Sequence, residues 1–221
     1  MFHGEGHSVQ THDLLEIDAK RLLASQASAP QWVEEDLSQN PFVVVRRGLA
    51  ARYEIPIGVR GAERNQRWAA FCHPKFVKSI LPPPQLLRRT VPISRVNVIR
   101  AFRALNVLKN RWTDLDLPWG PTGSVGFELA TGRPVTTEVS DLDIAIRARD
   151  RISREQARSF WERVVGLQTK VDVRVETPEC SFSLEEFACT SCPRILLRYP
   201  DGLRLGDDPW SGCLSTMETA P

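Results

Sequence analysis

No stretch of this 221-residue chain approaches the roughly 18 consecutive apolar residues that cross a bilayer. The opening residues Met1-Phe2-His3-Gly4-Glu5-Gly6-His7 carry neither a basic segment nor an apolar one. A secretory leader and a membrane partner are therefore not expected. Cysteine is sparse and odd in number: Cys72, Cys180, Cys189, Cys192 and Cys213. That count fits reduced cytoplasmic thiols better than a disulfide framework. Cys189-Thr190-Ser191-Cys192 has the spacing of half a zinc site, but no second CxxC and no HxxxH follows. The pair reads as buried or loop thiols. No internal repeat and no low-complexity tract is present.

Two further scarcities shape the charge. Lysines number only 5, so arginines supply 24 of the 29 basic residues. Arginine favours forked contact with phosphate oxygens. Acids almost vanish between Phe42 and Arg111, where 15 Lys and Arg face only Glu54 and Glu63. The flanking segments are acidic, and the whole chain nets only +2. A basic middle beside an acidic, metal-binding end suits a polyphosphate substrate.

With 42% hydrophobic and 25% charged residues, the composition is that of a globular protein with a real core. In the first half, Asp18 to Ala27 and Pro30 to Asp36 read as short helices, and Phe42–Arg47 as a strand. Ile55–Gly61 reads as a second strand, with Pro56 placing it at a sheet edge or a strand start. Asn65 to Phe71 is strand or helix, undecided by periodicity. Leu81-Pro82-Pro83-Pro84 predicts a linker or rigid turn, because consecutive prolines build neither helix interior nor central strand. This places a domain boundary there, giving an N-terminal substrate- or partner-binding domain over residues 1–85 and a catalytic domain over 86–221.

After the prolines, Val98, Ala101, Phe102, Leu105 and Leu108 recur at helical spacing. They predict one long amphipathic helix over Ser94–Trp112, with Arg95, Arg100, Arg103 and Lys109 toward solvent or ligand. A glycine-rich turn, Gly120 to Gly126, precedes a short helix through Phe127–Ala130, ended by Thr131-Gly132-Arg133-Pro134. Ser153–Val165 is a helix capped by Ser153. Phe182–Ala188 is another, and Pro200-Asp201 joins a closing hairpin.

The chemistry concentrates in Ser140-Asp141-Leu142-Asp143-Ile144-Ala145-Ile146. Alternation projects Asp141 and Asp143 from one face of a strand. Two carboxylates so placed repel unless a cation lies between them, and oxygen donors at that spacing suit Mg²⁺. Backbone amides of Gly123 and Ser124 upstream would cradle phosphate. Downstream, Val171 to Glu176 alternates strictly and sets Asp172 on one face with Arg174 and Glu176. Together these point to metal-assisted nucleotidyl transfer. Arg60, Arg64 and Arg67, with Arg46 and Arg47 behind them, are the candidates to neutralise a polyphosphate.

The order Gly-Ser, Asp-x-Asp strand, third carboxylate on a neighbouring strand resembles the catalytic core of polymerase-β-like nucleotidyltransferases. A more specific resemblance runs through Trp119-Gly-Pro-Thr-Gly-Ser-Val-Gly-Phe-Glu-Leu-Ala-Thr-Gly132 and Ser140-Asp-Leu-Asp-Ile-Ala-Ile-Arg147. It extends more loosely to His12-Asp13-Leu14-Leu15, Ile55–Gly61 with Gln66-Arg67, Ser183-Leu184 and Asp208-Pro209-Trp210. These look like the malonate decarboxylase holo-acyl-carrier-protein synthases, or phosphoribosyl-dephospho-CoA transferases. The resemblance implies an α+β fold, a mixed-sheet nucleotidyltransferase core preceded by a small α/β domain. It also implies 2′-(5″-triphosphoribosyl)-3′-dephospho-CoA as donor, a serine of the decarboxylase's acyl-carrier subunit as acceptor, and pyrophosphate as leaving group. Asp141, Asp143 and Asp172 would be catalytic and hold Mg²⁺; Gly123 and Ser124 would hold the departing phosphates. The basic segment would then serve triphosphate or carrier in preference to nucleic acid. Two alternatives stand beside this: an NTP-dependent nucleotidyltransferase acting on a small molecule or RNA end, and a non-enzymatic binding module.

Overall fold

A computed structural model describes residues 8–61, 63, 66–189 and 193–211. Arg64 and Cys192 lie outside the described residues. The chain divides into two compact units between Pro82 and Pro83.

The first unit is a five-stranded antiparallel sheet with two helices. Its strands are β1 (Leu14–Ile17), β2 (Phe42–Val45), β3 (Ile55–Arg60), β4 (Arg67–Cys72) and β5 (Val77–Leu81), in the order β4-β3-β2-β1-β5. Helices α1 (Ala19–Ala24) and α2 (Gln31–Gln39) supply Leu22, Val33 and Leu37 to a core with Leu15, Ile17, Val43 and Ile57. Asp18 caps α1, its side chain accepting from the Arg21 amide at 3.1 Å. β3 is paired on both sides and is not an edge strand. Pro56 is tolerated because it stands second in the strand, where its carbonyl still accepts from the Arg46 amide at 2.8 Å. Of the ambiguous Asn65–Phe71 segment, Asn65 lies outside the described residues, and from Arg67 the chain forms β4, fixed by full register with β3.

The second unit carries a six-stranded mixed sheet. In sequence it runs α3 (Pro83–Leu86), α4 (Ile93–Val98), α5 (Arg100–Arg111), β6 (Trp119–Pro121), α6 (Gly123–Thr131) and β7 (Leu142–Arg147). Then follow α7 (Arg154–Glu162), β8 (Val171–Glu176), β9 (Ser181–Ser183), α8 (Leu184–Cys189), β10 (Ile195–Tyr199) and β11 (Gly202–Gly206). The sheet order is β11-β10-β9-β8-β7-β6. β7 and β8 pair in parallel, joined through α7, and the other pairs are antiparallel. One face of the central strands presents Leu142, Ile144, Ile146, Val171, Val173 and Val175, all buried; the other carries the polar residues.

Four local expectations are corrected. Pro83 and Pro84 open the short helix α3. The first turn of a helix needs no donated N–H, so proline fits there. The single helix over Ser94–Trp112 is broken at Ile99, whose backbone is extended (φ −88°, ψ 113°) and which is buried. Arg103 donates from Nη1 to the Val96 carbonyl at 3.3 Å and to the Asn97 carbonyl, satisfying groups that the break exposes. The glycine-rich turn is instead the end of β6 followed directly by α6, which begins at Gly123. Finally, Phe182 belongs to β9 and not to a helix; α8 starts at Leu184.

The capping of α7 by Ser153 forms as read, with Gln156 returning the hydrogen bond. Gly132 ends α6 in the left-handed conformation, φ +74°. The β10–β11 hairpin closes with Tyr199 opposite Gly202.

Candidate active site

The candidate site lies where the polar face of the sheet meets the start of α6. β7 and β8 run parallel in a register that sets Asp143 directly beside Asp172, Ala145 beside Arg174 and Arg147 beside Glu176. Adjacent strands lie about 4.8 Å apart, so the two aspartates share one edge of the polar face. Asp141 immediately precedes β7 and is exposed; Asp143 and Asp172 are half-buried. The apolar residues between them point into the core and hold the register, because a slip by one would bury both carboxylates.

Gly123 and Ser124 reach the same place from the other side. β6 pairs with β7, Pro121 opposite Ile144, and the Thr122 amide donates to the Asp143 carbonyl at 2.8 Å. The chain then turns into α6 at Gly123, φ +57°. A Cβ at Gly123 would collide with Oδ2 of Asp143. The missing side chain is therefore what brings the positive end of α6 against the carboxylate-bearing strand. The two motifs are separate in sequence and contiguous in space.

Asp172 does not stand alone. Its Oδ2 accepts from Arg174 Nη2 at 3.0 Å. Strand alternation sets Arg174 on the face of Asp172, and the Asp-x-Arg spacing is the sequence signal for this pair. Among the described residues no three His, Cys, Asp or Glu side chains converge into one cluster. The fit to Mg²⁺ rests on two hard oxygen donors abreast, one of them packed against the glycine that begins α6. Mg²⁺ commonly takes one or two carboxylates and completes its shell from substrate phosphate and water.

The arginine candidates belong to the first unit. Arg60 and Arg67 are exposed and directly opposite each other across β3 and β4. Arg46 is exposed, and its stem packs over Gly58. Arg47 is half-buried. Arg95 does not point to solvent or ligand as expected. It forks onto Glu128, donating from Nε and Nη2 at 2.8 Å each. Lys109 likewise turns inward, donating to the Leu87 carbonyl at 2.8 Å. Cys189 is an exposed free thiol, while Cys72 and Cys180 are buried free thiols.

A mixed sheet with paired carboxylates on adjacent parallel strands, against a Gly-Ser helix start, is consistent with a nucleotidyltransferase-like core. Comparison with known proteins narrows this class. Residues 10–83 match the family model of the phosphoribosyl-dephospho-CoA transferase MdcG N-terminal domain, and residues 90–209 match that of the MdcG C-terminal domain. A phosphoribosyl-dephospho-CoA transferase of Azotobacter vinelandii is 38% identical over 91% of this chain and 94% of that protein. One of Pseudomonas putida is 36% identical over 87% and 90%, and one of Klebsiella pneumoniae 35% identical over 90% and 95%. No solved structure gives a significant match. The chain belongs to the phosphoribosyl-dephospho-CoA transferase family.

Proposed function

We propose that this protein transfers the phosphoribosyl-dephospho-CoA group from 2′-(5″-triphosphoribosyl)-3′-dephospho-CoA to a serine of the acyl-carrier subunit of malonate decarboxylase. The carrying observation is the juxtaposition of Asp143, Asp172 and the Gly123 start of α6, in a chain whose two halves both match the family. The serine oxygen attacks the α-phosphorus of the triphosphate, the bond from that phosphorus to the β-bridging oxygen breaks, and pyrophosphate departs. Asp141 and Asp143 would hold Mg²⁺, with Asp172 completing the set or accepting the serine proton. Bound there, the ion would neutralise charge developing on the phosphate oxygens. The Gly123 and Ser124 amides at the head of α6 would hold the departing β- and γ-phosphates. Arg174 would orient Asp172 through that contact.

In the first unit, Arg60 and Arg67 form a two-guanidinium pair on one strand face, suited to a polyphosphate or an acidic carrier surface. Arg64, in the intervening segment, is proposed for the same role. No described helix is long and apolar enough to cross a membrane. The free thiols suit a reducing cytoplasm, which we take as the working compartment.

The test is direct. Incubating the protein with Mg²⁺, the triphosphoribosyl donor and apo-carrier subunit should raise the carrier's intact mass by one prosthetic group and release pyrophosphate. An unmodified carrier, with ATP-derived label appearing on a small molecule or RNA end instead, would overturn the proposal in favour of an NTP-dependent transferase.

A further inference from the structure

Glu128 is charged yet almost wholly enclosed: the residue is 2% exposed, midway along α6 in the run Phe127-Glu128-Leu129-Ala130. A buried carboxylate is costly unless each lone pair finds a donor. Here Oε1 accepts from Arg95 Nε at 2.8 Å, and Oε2 accepts from Arg95 Nη2 at 2.8 Å and from the Thr136 amide at 2.8 Å. The fork continues beyond the pair, because Arg95 Nη2 also donates to the Thr136 carbonyl at 2.6 Å. Both backbone groups of Thr136 are thus held by one ion pair, and Thr136 is itself 2% exposed.

The placement of Thr136 gives this network its meaning. It lies in the connection between α6 and β7, five residues before Asp141. From Thr136 the chain enters a short turn, in which the Thr137 amide donates to Ser140 Oγ at 2.9 Å and the Ser140 amide to the Thr137 carbonyl at 3.0 Å. Thr169 Oγ1 then holds the Ser140 carbonyl at 3.2 Å, next to Asp141. At its other end, α6 begins with Gly123 packed against Asp143. One helix therefore carries the phosphate-facing Gly-Ser at its head and, through Glu128, anchors the loop that delivers Asp141.

We propose that the Arg95–Glu128 pair is a positioning device that fixes Asp141 relative to Asp143 and the head of α6. Glu128 and Arg95 touch no reacting atom. They act by holding Thr136 and so setting where β7 begins. A surface loop of this length would otherwise move its first carboxylate independently of the strand. A polar tie is used where an apolar one would bury the helix just as well, because only charge-assisted, forked hydrogen bonds fix a backbone position in direction as well as distance. The inference rests on the reading of Asp141 and Asp143 as metal ligands given under Proposed function.

The test compares Glu128→Gln and Arg95→Lys with Val164→Ala, a buried residue in the turn after α7 and outside this network. Each variant is measured for thermal midpoint, for Mn²⁺ binding by paramagnetic resonance without substrate, for kcat and KM in carrier modification, and for amide exchange over residues 133–141. The expected result for Glu128→Gln is a Mn²⁺ dissociation constant raised at least fivefold and a kcat lowered at least tenfold. Its KM for the carrier should stay within twofold of wild type, with faster exchange confined to 133–141. Arg95→Lys should fall between Glu128→Gln and wild type. Val164→Ala should lose comparable thermal stability while leaving Mn²⁺ affinity, kcat and exchange of 133–141 unchanged. Equal kcat and exchange effects in Glu128→Gln and Val164→Ala would overturn the proposal, since the pair would then contribute only general stability. If wild-type protein binds no Mn²⁺, the metal reading fails separately, and kcat with exchange still decides whether the pair positions the loop.

Discussion

At Gly123 the backbone is left-handed, φ +57°, and the position of a Cβ is filled by the Asp143 carboxylate. Gly123→Ala therefore combines backbone strain with displacement of the carboxylate. Carrier modification should fall at least about 10²-fold with the far-ultraviolet spectrum retained. Activity near wild type would detach Gly123 from the site. Asp143→Asn keeps shape and removes charge; the expected result is loss of transfer with the far-ultraviolet spectrum retained. Appreciable turnover in that variant would refute the ligand assignment. Glu128 adds a pH prediction. Burial by itself raises its pKa, but hydrogen bonds from Arg95 and Thr136 outweigh it and hold the carboxyl below the ordinary range. A depressed carboxylate contributes stability that is fully present above its unfolded pKa and is lost as pH falls through its folded one. The wild type should lose stability more steeply than Glu128→Gln between about pH 5 and 3 in denaturant titrations. Parallel slopes would show that folding does not lower the pKa of Glu128.

Among elements, local signals were strongest where side chains serve their own backbone. The Ser153–Gln156 capping box of α7 was legible because both partners lie within one turn. Ser153→Ala should cost about 1 kcal/mol of stability, read from chemical denaturation, without altering transfer kinetics. A change within a few tenths of a kcal/mol would mean that solvent replaces the cap. By contrast, the break at Ile99 was invisible to periodicity. Both sides of it keep helical spacing, and only the core decides that Ile99 must turn inward. The β6–α6 junction was misread as a loop for a related reason. Three glycines in seven residues mark a turn by propensity, yet here they permit close approach: a Cβ at Gly120 would strike the Pro83 carbonyl, as one at Gly123 would strike Asp143. Pro83 and Pro84 show the opposite failure, since proline stops a helix interior but begins a helix readily.

For the whole molecule, the thiols report how much of the chain is sealed. Burial raises the Cys72 thiol to about 11, and Cys180 is also enclosed, whereas Cys189 is exposed. Alkylation with iodoacetamide near pH 8, mapped by peptide mass, should label Cys189 in the native protein. Cys72 and Cys180 should react only after unfolding. Native labelling of Cys72 would contradict the core described for the first unit. The alternating strands, the aspartates and the family resemblance were set by the sequence itself, because a strand's period of two and a motif's residue identities are properties of the chain. The partners of those residues were not. Arg95 and Glu128 are separated by 33 residues, and Asp143 and Asp172 by 29; nothing local states that one pair forks and the other lies abreast. Only the parallel register of β7 with β8, the helix break at Ile99 and the side-chain-free approach at Gly123 decide those contacts. Packing chooses among arrangements that the sequence pattern leaves equal.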